Sequence, residues 1–416
     1  MRTAILHYSV PPVVGGVEAV IHAHTGLLLK AGYPVSVIAG VGDATALPGG
    51  AEFIHITEMD SRNSRVAEIS QSLEGGQVPA EFEVLSANLE GHLLDALQTM
   101  DVVMVHNVFT KHFNLPLTAA LFRMLDQAKI KNCIAWCHDF SWTSTHSRAS
   151  MHPGYPWDLL RTYREDVTYV TVSQFRQAEL AGMYNCPPER IRVVYDGVDP
   201  ADLYSLSEES QALIQRLGLM AADLVLLMPV RITQAKNIEF ALQVIANLKS
   251  RGIRPKLVIT GPPDPHDPGS MEYYQSLLNL RQQLQVEQEV RFVYESGIKL
   301  GEGYKIGLRL VRQLYRCCDV LFMPSHREGF GLPILEAGLM GMPVFSTTIP
   351  AAMEIGGQEV VRFSHEASPG KVAELLLNWS QASSTQRLRQ RIRQNFTWEA
   401  IFQHGILPLL AGGEAA

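Results

Sequence analysis

Short apolar runs recur along the whole chain and are separated by longer segments with helical periodicity. They are TAILHYS, PVSVIAG, DVVMVHN, NCIAWCHD, VTYVTVS and IRVVYDG in the first half, then LVLLMPV, PKLVITG, VRFVYES, DVLFMPS and PVFSTT. Runs this apolar, without clean alternation, are typical of parallel strands covered by helices on both faces. The pattern therefore predicts an α/β fold with right-handed crossovers.

The length of the chain and one interruption of the pattern predict two domains. A chain of 416 residues is too long for one ordinary core. The strand–helix alternation is interrupted at YDGVDPADL, residues 195–203, by Gly, Pro and three Asp residues. We expect two Rossmann-like domains that face each other across a cleft, formed by residues 1–198 and 199–396.

The amino-acid composition limits the cellular compartment and the binding partners to be expected for this chain. The formal net charge of -7 argues against a broad nucleic-acid surface. Five cysteines without a CxxC pair indicate reduced thiols and no zinc site. The N-terminus lacks the features of a signal peptide, and no apolar run approaches the roughly 20 residues of a membrane span. We expect a soluble cytoplasmic protein; contact with a membrane surface is left open.

Open α/β sheets bind ligands outside the carboxyl ends of their strands. Glycine or polar residues come directly after five of the predicted strands: Gly15 and Gly16, His138 and Asp139, Arg231, Gly261, and Glu328. The sequence thus predicts that these glycine and polar residues lie at the ligand-binding edge of each sheet.

The stretch HREGFGLPILEAGLMG, residues 326–341, predicts a turn followed by a helix. Pro333 suits the first helical positions, and Gly341 suits the end of the helix. Glu328 lies in the turn and Glu336 inside the helix, with seven residues between them. Two carboxylates beside a helix start, which binds anions, suit a sugar nucleotide with hydroxyls at both ends and a diphosphate between. A capped helix with two solvated acids fits an isolated pair of glutamates equally well.

The stretch VRITQAKNIEFAL predicts a strand end, a short turn and a helix from near Asn237. Arg231 and Lys236 could converge there on a diphosphate, the first as a fork and the second as a point charge. Alone they would indicate a solvated basic turn. Together with the two glutamates they favour a diphosphate site.

These residues resemble the sugar-donor site of the family 4 retaining glycosyltransferases, which have the GT-B fold. Other features follow in the order typical of that family: GGVE at 15–18, His138–Asp139, VSQ at 172–174, DGVD at 196–199 and a helix with Trp398. The resemblance extends over the whole chain and implies a hexosyltransferase.

The resemblance also implies roles for individual residues. Glu336 would bind the nucleotide ribose, and Arg231 and Lys236 would neutralise the diphosphate. Glu328 would hold the hexose together with a short backbone stretch, namely Gly329, Phe330 and Gly331. We add Gly261 to the residues of the sugar-donor site for its strand-end position.

Further roles fall on the first domain. Gly16 would let the backbone approach the diphosphate, and His138 would lie near the anomeric carbon as a catalytic residue beside Glu328, Arg231 and Lys236. A C-terminal helix at about 397–416 would pack back onto this domain.

The predicted reaction needs no metal and no cofactor. The sequence contains no Asp-x-Asp motif, and two cations with backbone amides can stabilise the leaving diphosphate. The departing phosphate would take the acceptor proton, as the family is thought to do. The expected partners are a nucleoside-diphosphate sugar and a small-molecule or glycan acceptor.

Residues 139–161 combine aromatic and basic side chains, which stack on sugar rings and bind anions. We expect an acceptor site there for a polar molecule, anionic or neutral, with Asp139, Trp142 and Arg148. A packed surface loop is an alternative of equal weight.

Two segments depart from the family pattern. Asp196 stands where the family usually has Asn. Residues 261–274 are rich in Pro and Asp and are predicted to form a lid or a partner surface.

Other classes remain open at this stage. An NAD-dependent oxidoreductase would need a Gly-x-Gly-x-x-Gly fingerprint, and GVGDAT at 40–45 lacks the third glycine. A sugar-nucleotide epimerase, a phosphorylase or a non-catalytic sugar-nucleotide-binding protein would share the same fold.

Overall fold

Every strand pairing in the two sheets of the computed structural model is parallel. The structure describes residues 1–297 and 303–411. The first sheet has the order β3-β2-β1-β4-β5-β6-β7 and the second β10-β9-β8-β11-β12-β13. The strands are β1 Thr3–Ser9, β2 Val35–Val41, β3 Glu52–His55, β4 Val102–His106, β5 Cys133–Cys137, β6 Val167–Thr171, β7 Ile191–Val193, β8 Leu224–Met228, β9 Pro255–Ile259, β10 Val290–Phe292, β11 Val320–Met323, β12 Val344–Thr347 and β13 Val361–Phe363.

Helices connect these strands. They are α1 Gly16–Lys30, α2 Ser64–Glu74, α3 Glu81–Leu97, α4 Leu115–Asp126, α5 Gln174–Tyr184, α6 Pro200–Leu203, α7 Glu208–Leu217, α8 Ile238–Ser250, α9 Ser270–Gln283, α10 Leu308–Cys317, α11 Leu332–Leu339, α12 Pro350–Glu354, α13 Pro369–Ala382, α14 Ser384–Asn395, α15 Trp398–Ile401 and α16 Leu407–Leu410. A π-helical turn, Phe402–Ile406, joins the last two.

The chain divides into two compact units. Unit 1 contains Met1–Gly197 and the segment from Trp398 onward, and unit 2 contains Val198–Thr397. The sequence places the boundary after residue 198, one residue later. The predicted α/β fold of two Rossmann-like domains is confirmed by the two parallel sheets; the expected cleft between them stays a prediction.

Each sheet is covered by helices on both faces. Successive residues of β1 point to opposite sides, so Leu6 packs with α2, α3 and α4 whereas Ile5 packs with α1 and the C-terminal segment. In unit 2, Leu226 packs towards α8 and α13, and Leu227 towards α7 and α10. Burial on both faces explains why the strand runs are apolar without alternation.

The order of the strands fixes where each unit can bind a ligand. The chain reverses its direction of growth between β1 and β4 in unit 1, and between β8 and β11 in unit 2. At such a switch point the two following loops run apart and leave a crevice at the carboxyl ends of the strands.

Two strands, β3 and β13, were not predicted. Both lie at the edge of a sheet. The sequence of β3 is EFIH, and none of its four residues is buried. An edge strand exposed to solvent does not need the continuous apolar run from which the other strands are identified.

Among the described residues, no helix combines the length and the apolar character that crossing a membrane requires.

Gly197 should be required for the attachment of the C-terminal segment. A Cβ at this position would lie 2.8 Å from the backbone nitrogen of Trp398 and 2.9 Å from its Cα. We expect Gly197→Ala to destabilise the fold by about 1–3 kcal/mol, because the backbone must shift. Thermal unfolding measures the effect.

The control is Gly182→Ala, in the exposed part of α5, where a Cβ meets nothing within 4 Å. This change should leave the unfolding temperature equal or higher, since Gly in a helix costs about 0.5–1 kcal/mol relative to Ala. Equal unfolding temperatures for Gly197→Ala and the wild type would contradict the prediction.

Candidate sugar-donor site

Lys236 and Glu328 form an ion pair at the switch point of unit 2. Lys236 lies in the turn after β8, and Glu328 in the turn after β11. Lys236 Nζ donates to Glu328 Oε2 at 2.7 Å, and Ser325 Oγ donates to Oε1 at 2.7 Å. Only 9% of the Glu328 side chain and 20% of the Lys236 side chain are exposed. The structure thus brings these two predicted residues together and fixes both carboxylate oxygens.

Arg231 follows β8 and is held more loosely. Its side chain is 58% exposed, and one guanidinium nitrogen lies 3.5 Å from Oδ1 of Asp264. Asp264 belongs to the loop between β9 and α9, within the Pro- and Asp-rich stretch. This loop also pairs with the turn after β8, because the Ile232 N–H donates to the Pro262 carbonyl at 3.0 Å. The guanidinium can therefore move to a ligand at little cost.

The start of α11 leaves backbone N–H groups available. Gly331 precedes the helix with a φ of +91° and supplies no side-chain cap. That φ favours glycine. At Gly329, by contrast, a Cβ would meet nothing within 4 Å, so packing within the chain does not require glycine there. The Phe330 side chain between them is 59% exposed. The turn has the open amides and positive helix end that bind anions.

Glu336 lies in α11, and its Oε2 accepts a hydrogen bond from the Tyr315 hydroxyl at 2.7 Å. Burial, followed by the Glu336 carboxylate, raises the pKa of Tyr315 well above its usual range. Tyr315 therefore stays a neutral donor that orients the carboxylate. The tyrosine bond uses Oε2, so Oε1 of Glu336 is the oxygen that a ribose hydroxyl could reach.

Gly261 has a packing role. A Cβ there would lie 2.4 Å from the Val230 carbonyl oxygen and 2.8 Å from Arg231 Cα. The glycine allows the loop after β9 to pass close to the loop after β8. Its predicted contact with the sugar donor stays a prediction.

In unit 1, the glycine loop after β1 leads into α1. Glu18 accepts from Ser9 Oγ at 2.5 Å, and its carboxylate fills the space that a Cβ on Gly15 would need. A Cβ on Gly16 would meet nothing within 4 Å. Gly16 is thus not required by packing, which is compatible with the predicted approach of a ligand to its backbone.

His138 directly follows β5 and is 8% exposed. Its backbone N–H donates to Asn107 Oδ1 at 2.8 Å, and the N–H of Asp139 donates to the same oxygen at 3.3 Å. The His138 ring contacts His106, which ends β4, with Nε2 of His138 3.2 Å from Nδ1 of His106. Burial, followed by the charge of His7, lowers the pKa of His138 to about 3. The ring is therefore neutral at physiological pH.

The three predicted acceptor residues have different surroundings. Asp139 is exposed and pairs with Arg176 at 2.9 Å. Trp142 is buried and donates its indole N–H to the Trp157 carbonyl at 3.1 Å. Arg148 donates to the Trp142 carbonyl at 2.9 Å. Asp139 is the member that could most readily meet an acceptor, and the role of all three stays a prediction.

Several residues that shape the site were not identified from the sequence. His106 and Asn107 end the run DVVMVHN, and His138 directly follows CIAWC, so the strand-end rule could also have pointed to His106 and Asn107. Ser325 and Tyr315 carried no such signal, because their hydrogen bonds to the two glutamates depend on packing.

Asp196, which stands where the family usually has Asn, is exposed in the segment between β7 and α6.

Comparison with known proteins agrees with this arrangement. Residues 14–202 match the family model Glycosyltransferase Family 4, and residues 209–396 match the model Glycosyl transferases group 1. The two matches leave only short segments uncovered. The chain belongs to the family 4 glycosyltransferases of GT-B type, as its sequence motifs predict.

Individual relatives match over shorter stretches. An uncharacterized glycosyltransferase of Methanocaldococcus jannaschii is 28% identical over 59% of this chain and 60% of its own length. A D-inositol 3-phosphate glycosyltransferase of Saccharomonospora viridis is 30% identical over 53% and 50%, and a mannosylglucosylglycerate synthase of Petrotoga mobilis 25% identical over 61% and 61%. The chain thus spans between half and three fifths of these relatives.

Solved structures give a weaker likeness. Anabaena HepE in complex with UDP is 17% identical, with a TM-score of 0.36 over 99% of this chain and 100% of that one. A sucrose-phosphate synthase from Thermosynechococcus elongatus is 16% identical, with a TM-score of 0.38 over 99% and 100%.

The Lys236–Glu328 pair should be energetically coupled because both groups are largely removed from water. In a double-mutant cycle with Lys236→Met and Glu328→Gln, we expect a coupling free energy of about 1–2 kcal/mol, since either single change leaves a half-buried charge unpaired. Chemical unfolding of the full chain measures it.

The matched control is the pair Lys249–Glu289 of the same unit, where Lys249 is 43% exposed. The same cycle there should give well under 1 kcal/mol, as exposed pairs do. Equal coupling at both pairs would show that Lys236 and Glu328 are only a surface contact.

Proposed function

We propose that this protein transfers a hexose from a nucleoside-diphosphate sugar to a hydroxyl group of a polar acceptor, with retention of anomeric configuration and without a metal ion. The observation that carries the proposal is the Lys236–Glu328 pair at the switch point of unit 2, beside the open start of α11. It sets a cation, an oriented carboxylate and free amides at the edge where such sheets bind ligands.

The diphosphate would lie against the cations and the helix start. Arg231 offers a mobile guanidinium, which can bind phosphate oxygens in a bidentate way. Lys236 offers an ammonium already held in place by Glu328. The backbone at Gly329 and Gly331 adds N–H donors, and the open space at Gly329 leaves room for close approach. These groups would stabilise the negative charge that grows on the leaving diphosphate.

The sugar and the ribose would be held by the two glutamates. Glu328 is fixed through both oxygens, so it can accept from a sugar hydroxyl only in a defined direction. Glu336 is exposed and oriented through one oxygen by Tyr315, which suits a ribose hydroxyl. The support for this division is that one carboxylate lies beside Lys236, where charge develops, and the other lies further along α11.

Unit 1 would supply Gly16, a neutral His138 and the acceptor residues. The departing phosphate would take the proton of the acceptor hydroxyl, so no protein base is needed. Retention is an inference from family membership. A polar acceptor is favoured by the ion pair of Arg176 with Asp139, the residue that directly follows His138. The names of two relatives, a D-inositol 3-phosphate glycosyltransferase and a mannosylglucosylglycerate synthase, are compatible with such an acceptor.

Metal independence gives the first test of this proposal. Among residues 1–297 and 303–411, no group of three or more His, Cys, Asp or Glu side chains is placed to hold a metal ion. We expect sugar transfer to proceed at an unchanged rate in excess EDTA, because Arg231, Lys236 and the start of α11 neutralise the leaving group. NMR of the product should show the anomeric configuration of the sugar donor. Activity that disappears with EDTA and returns with Mg²⁺ would refute the metal-independent mechanism.

The two glutamates give the second test, because their losses should differ in kind. Glu336→Ala removes a contact made equally in ground and transition states, so it should weaken binding of UDP, GDP or ADP, whichever stabilises the wild type against heat. Glu328→Ala should bind that diphosphate almost normally but lower kcat by roughly two orders of magnitude, because it acts beside the reacting sugar.

Glu374→Ala, an exposed acid on α13, is the control and should change neither property. If both glutamate variants bind the diphosphate and turn over as the wild type does, the sugar-donor site is assigned wrongly.

A further inference from the structure

Four histidines are buried together in unit 1, where three of them contact the fourth, His106. None is more than 8% exposed, and they are His7, His24, His106 and His138. His24 packs against Trp136 with ring centres 4.6 Å apart and against His106 at 5.5 Å. So dense a group of titratable rings is unusual in an apolar core, where each buried nitrogen needs a partner.

His106 meets His138 edge to edge. The two rings are within 22° of a common plane, their centres are 5.5 Å apart, and Nδ1 of His106 lies 3.2 Å from Nε2 of His138. Rings stacked face to face with nitrogens this close would have much closer centres. The contact is therefore a hydrogen bond along the ring planes, in which one nitrogen must carry the proton and the other must accept.

The unpartnered nitrogens near His106 indicate which of the two rings donates in this hydrogen bond. Nε2 of His106 is buried without a partner, and so are both ring nitrogens of His24 and the indole nitrogen of Trp136. The indole is always a donor, and a neutral His24 carries one N–H as well. Another N–H at Nε2 of His106 would add a third orphan donor to this region. A lone pair on Nε2 of His106 adds an acceptor to a region that holds the N–H groups of Trp136 and His24. The proton of His106 therefore lies on Nδ1 and points to His138.

His138 then has its proton on the opposite nitrogen. Because Nε2 accepts from His106, a neutral His138 carries hydrogen on Nδ1. Among the described residues Nδ1 of His138 makes no hydrogen bond, yet it is not one of the fully buried orphan atoms. It is therefore open to a ligand. Burial keeps the pKa of His138 at about 3 and that of His24 at about 3, so neither ring charges near neutral pH.

We infer that His106 is a positioning residue that holds His138 in the Nδ1–H tautomer, so that His138 presents a neutral hydrogen-bond donor to an oxygen of the bound sugar nucleotide. The part concerning the sugar nucleotide rests on the proposed function; the tautomer does not. In this arrangement His138 is not a base, because its one lone pair faces His106 rather than the ligand. The Nδ1–H of His7 donates to the backbone carbonyl of His106 at 2.9 Å and so holds the end of β4 that carries the His106 ring.

The tautomer can be read directly by long-range ¹H–¹⁵N NMR on protein labelled with ¹⁵N in its histidine rings. The chain has 14 histidines, and the signals missing from His138→Gln identify those of His138. At pH 7.5 we expect His138 to show a protonated Nδ1 and an unprotonated Nε2. A protonated Nε2 or a charged ring of His138 in the wild-type spectrum would be enough to overturn the inference.

A matched pair of variants tests the role of His106. The amide of Asn reaches the place of Nδ1, and Leu has the same shape without a donor. His106→Asn should keep the Nδ1–H tautomer of His138, whereas His106→Leu should move the proton to Nε2. If His106→Leu keeps the Nδ1–H tautomer, His106 does not set it. Should the Leu variant fail to fold, the wild-type and Asn spectra still decide.

Kinetics separate this inference from the proposed function. With a sugar donor that the wild type uses, kcat/KM should fall about tenfold or more in His106→Leu and recover most of that loss in His106→Asn. Failure of the wild type to use any sugar nucleotide would refute the proposed function but leave the tautomer result standing. Equal kcat/KM in both variants, with the tautomers as expected, would refute the link to the sugar donor.

Discussion

Parallel pairing of β8 with β11 determines where the charged groups of unit 2 can lie. Leu226 pairs with Val320 and Leu227 with Leu321, so the loops that follow the two strands leave the sheet side by side. The crossovers then run to opposite sides, and the crevice between them cannot be filled by either helix. Lys236 and Glu328, 92 residues apart in the chain, meet in this crevice. Neither the ion pair nor the open start of α11 would exist without the strand order, which is itself set by apolar burial on both faces of the sheet.

The two units handle polarity in opposite ways. In unit 2 the groups of the candidate site are charged and partly solvated: Lys236 and Arg231 are in ion pairs, and Glu336 accepts from a neutral tyrosine. In unit 1 the histidine rings are largely removed from solvent, and this burial lowers their pKa values and keeps them neutral. A diphosphate carries most of the charge of a sugar nucleotide, whereas a hexose is neutral. Charged hydrogen-bond donors suit the diphosphate. A neutral N–H suits the hexose because it adds no charge that must be desolvated.

Much of this arrangement is predictable from the sequence, and the limits have physical causes. Burial on both faces makes central strands visible as apolar runs, which identifies all but the edge strands β3 and β13. The strand-end rule points to His138, Arg231 and Glu328 as candidates because parallel sheets bind their ligands at that edge. Contacts between side chains distant in sequence, such as Ser325 with Glu328 or His106 with His138, depend on rotamers and packing that no periodicity records. The buried position of Trp142 has the same origin.

The two cations of unit 2 are held to different degrees, and this difference suits two separate parts in anion binding. Lys236 has already lost most of its water, and the Glu328 carboxylate offsets that cost before any ligand arrives. Its position is therefore preorganised, and an entering phosphate would share the ammonium with Glu328 rather than reorganise it. Arg231 remains largely hydrated, and its contact to Asp264 is long enough to be broken easily. The guanidinium of Arg231 can therefore move with a phosphate oxygen as negative charge grows on that oxygen. The ammonium of Lys236, in contrast, keeps a fixed position.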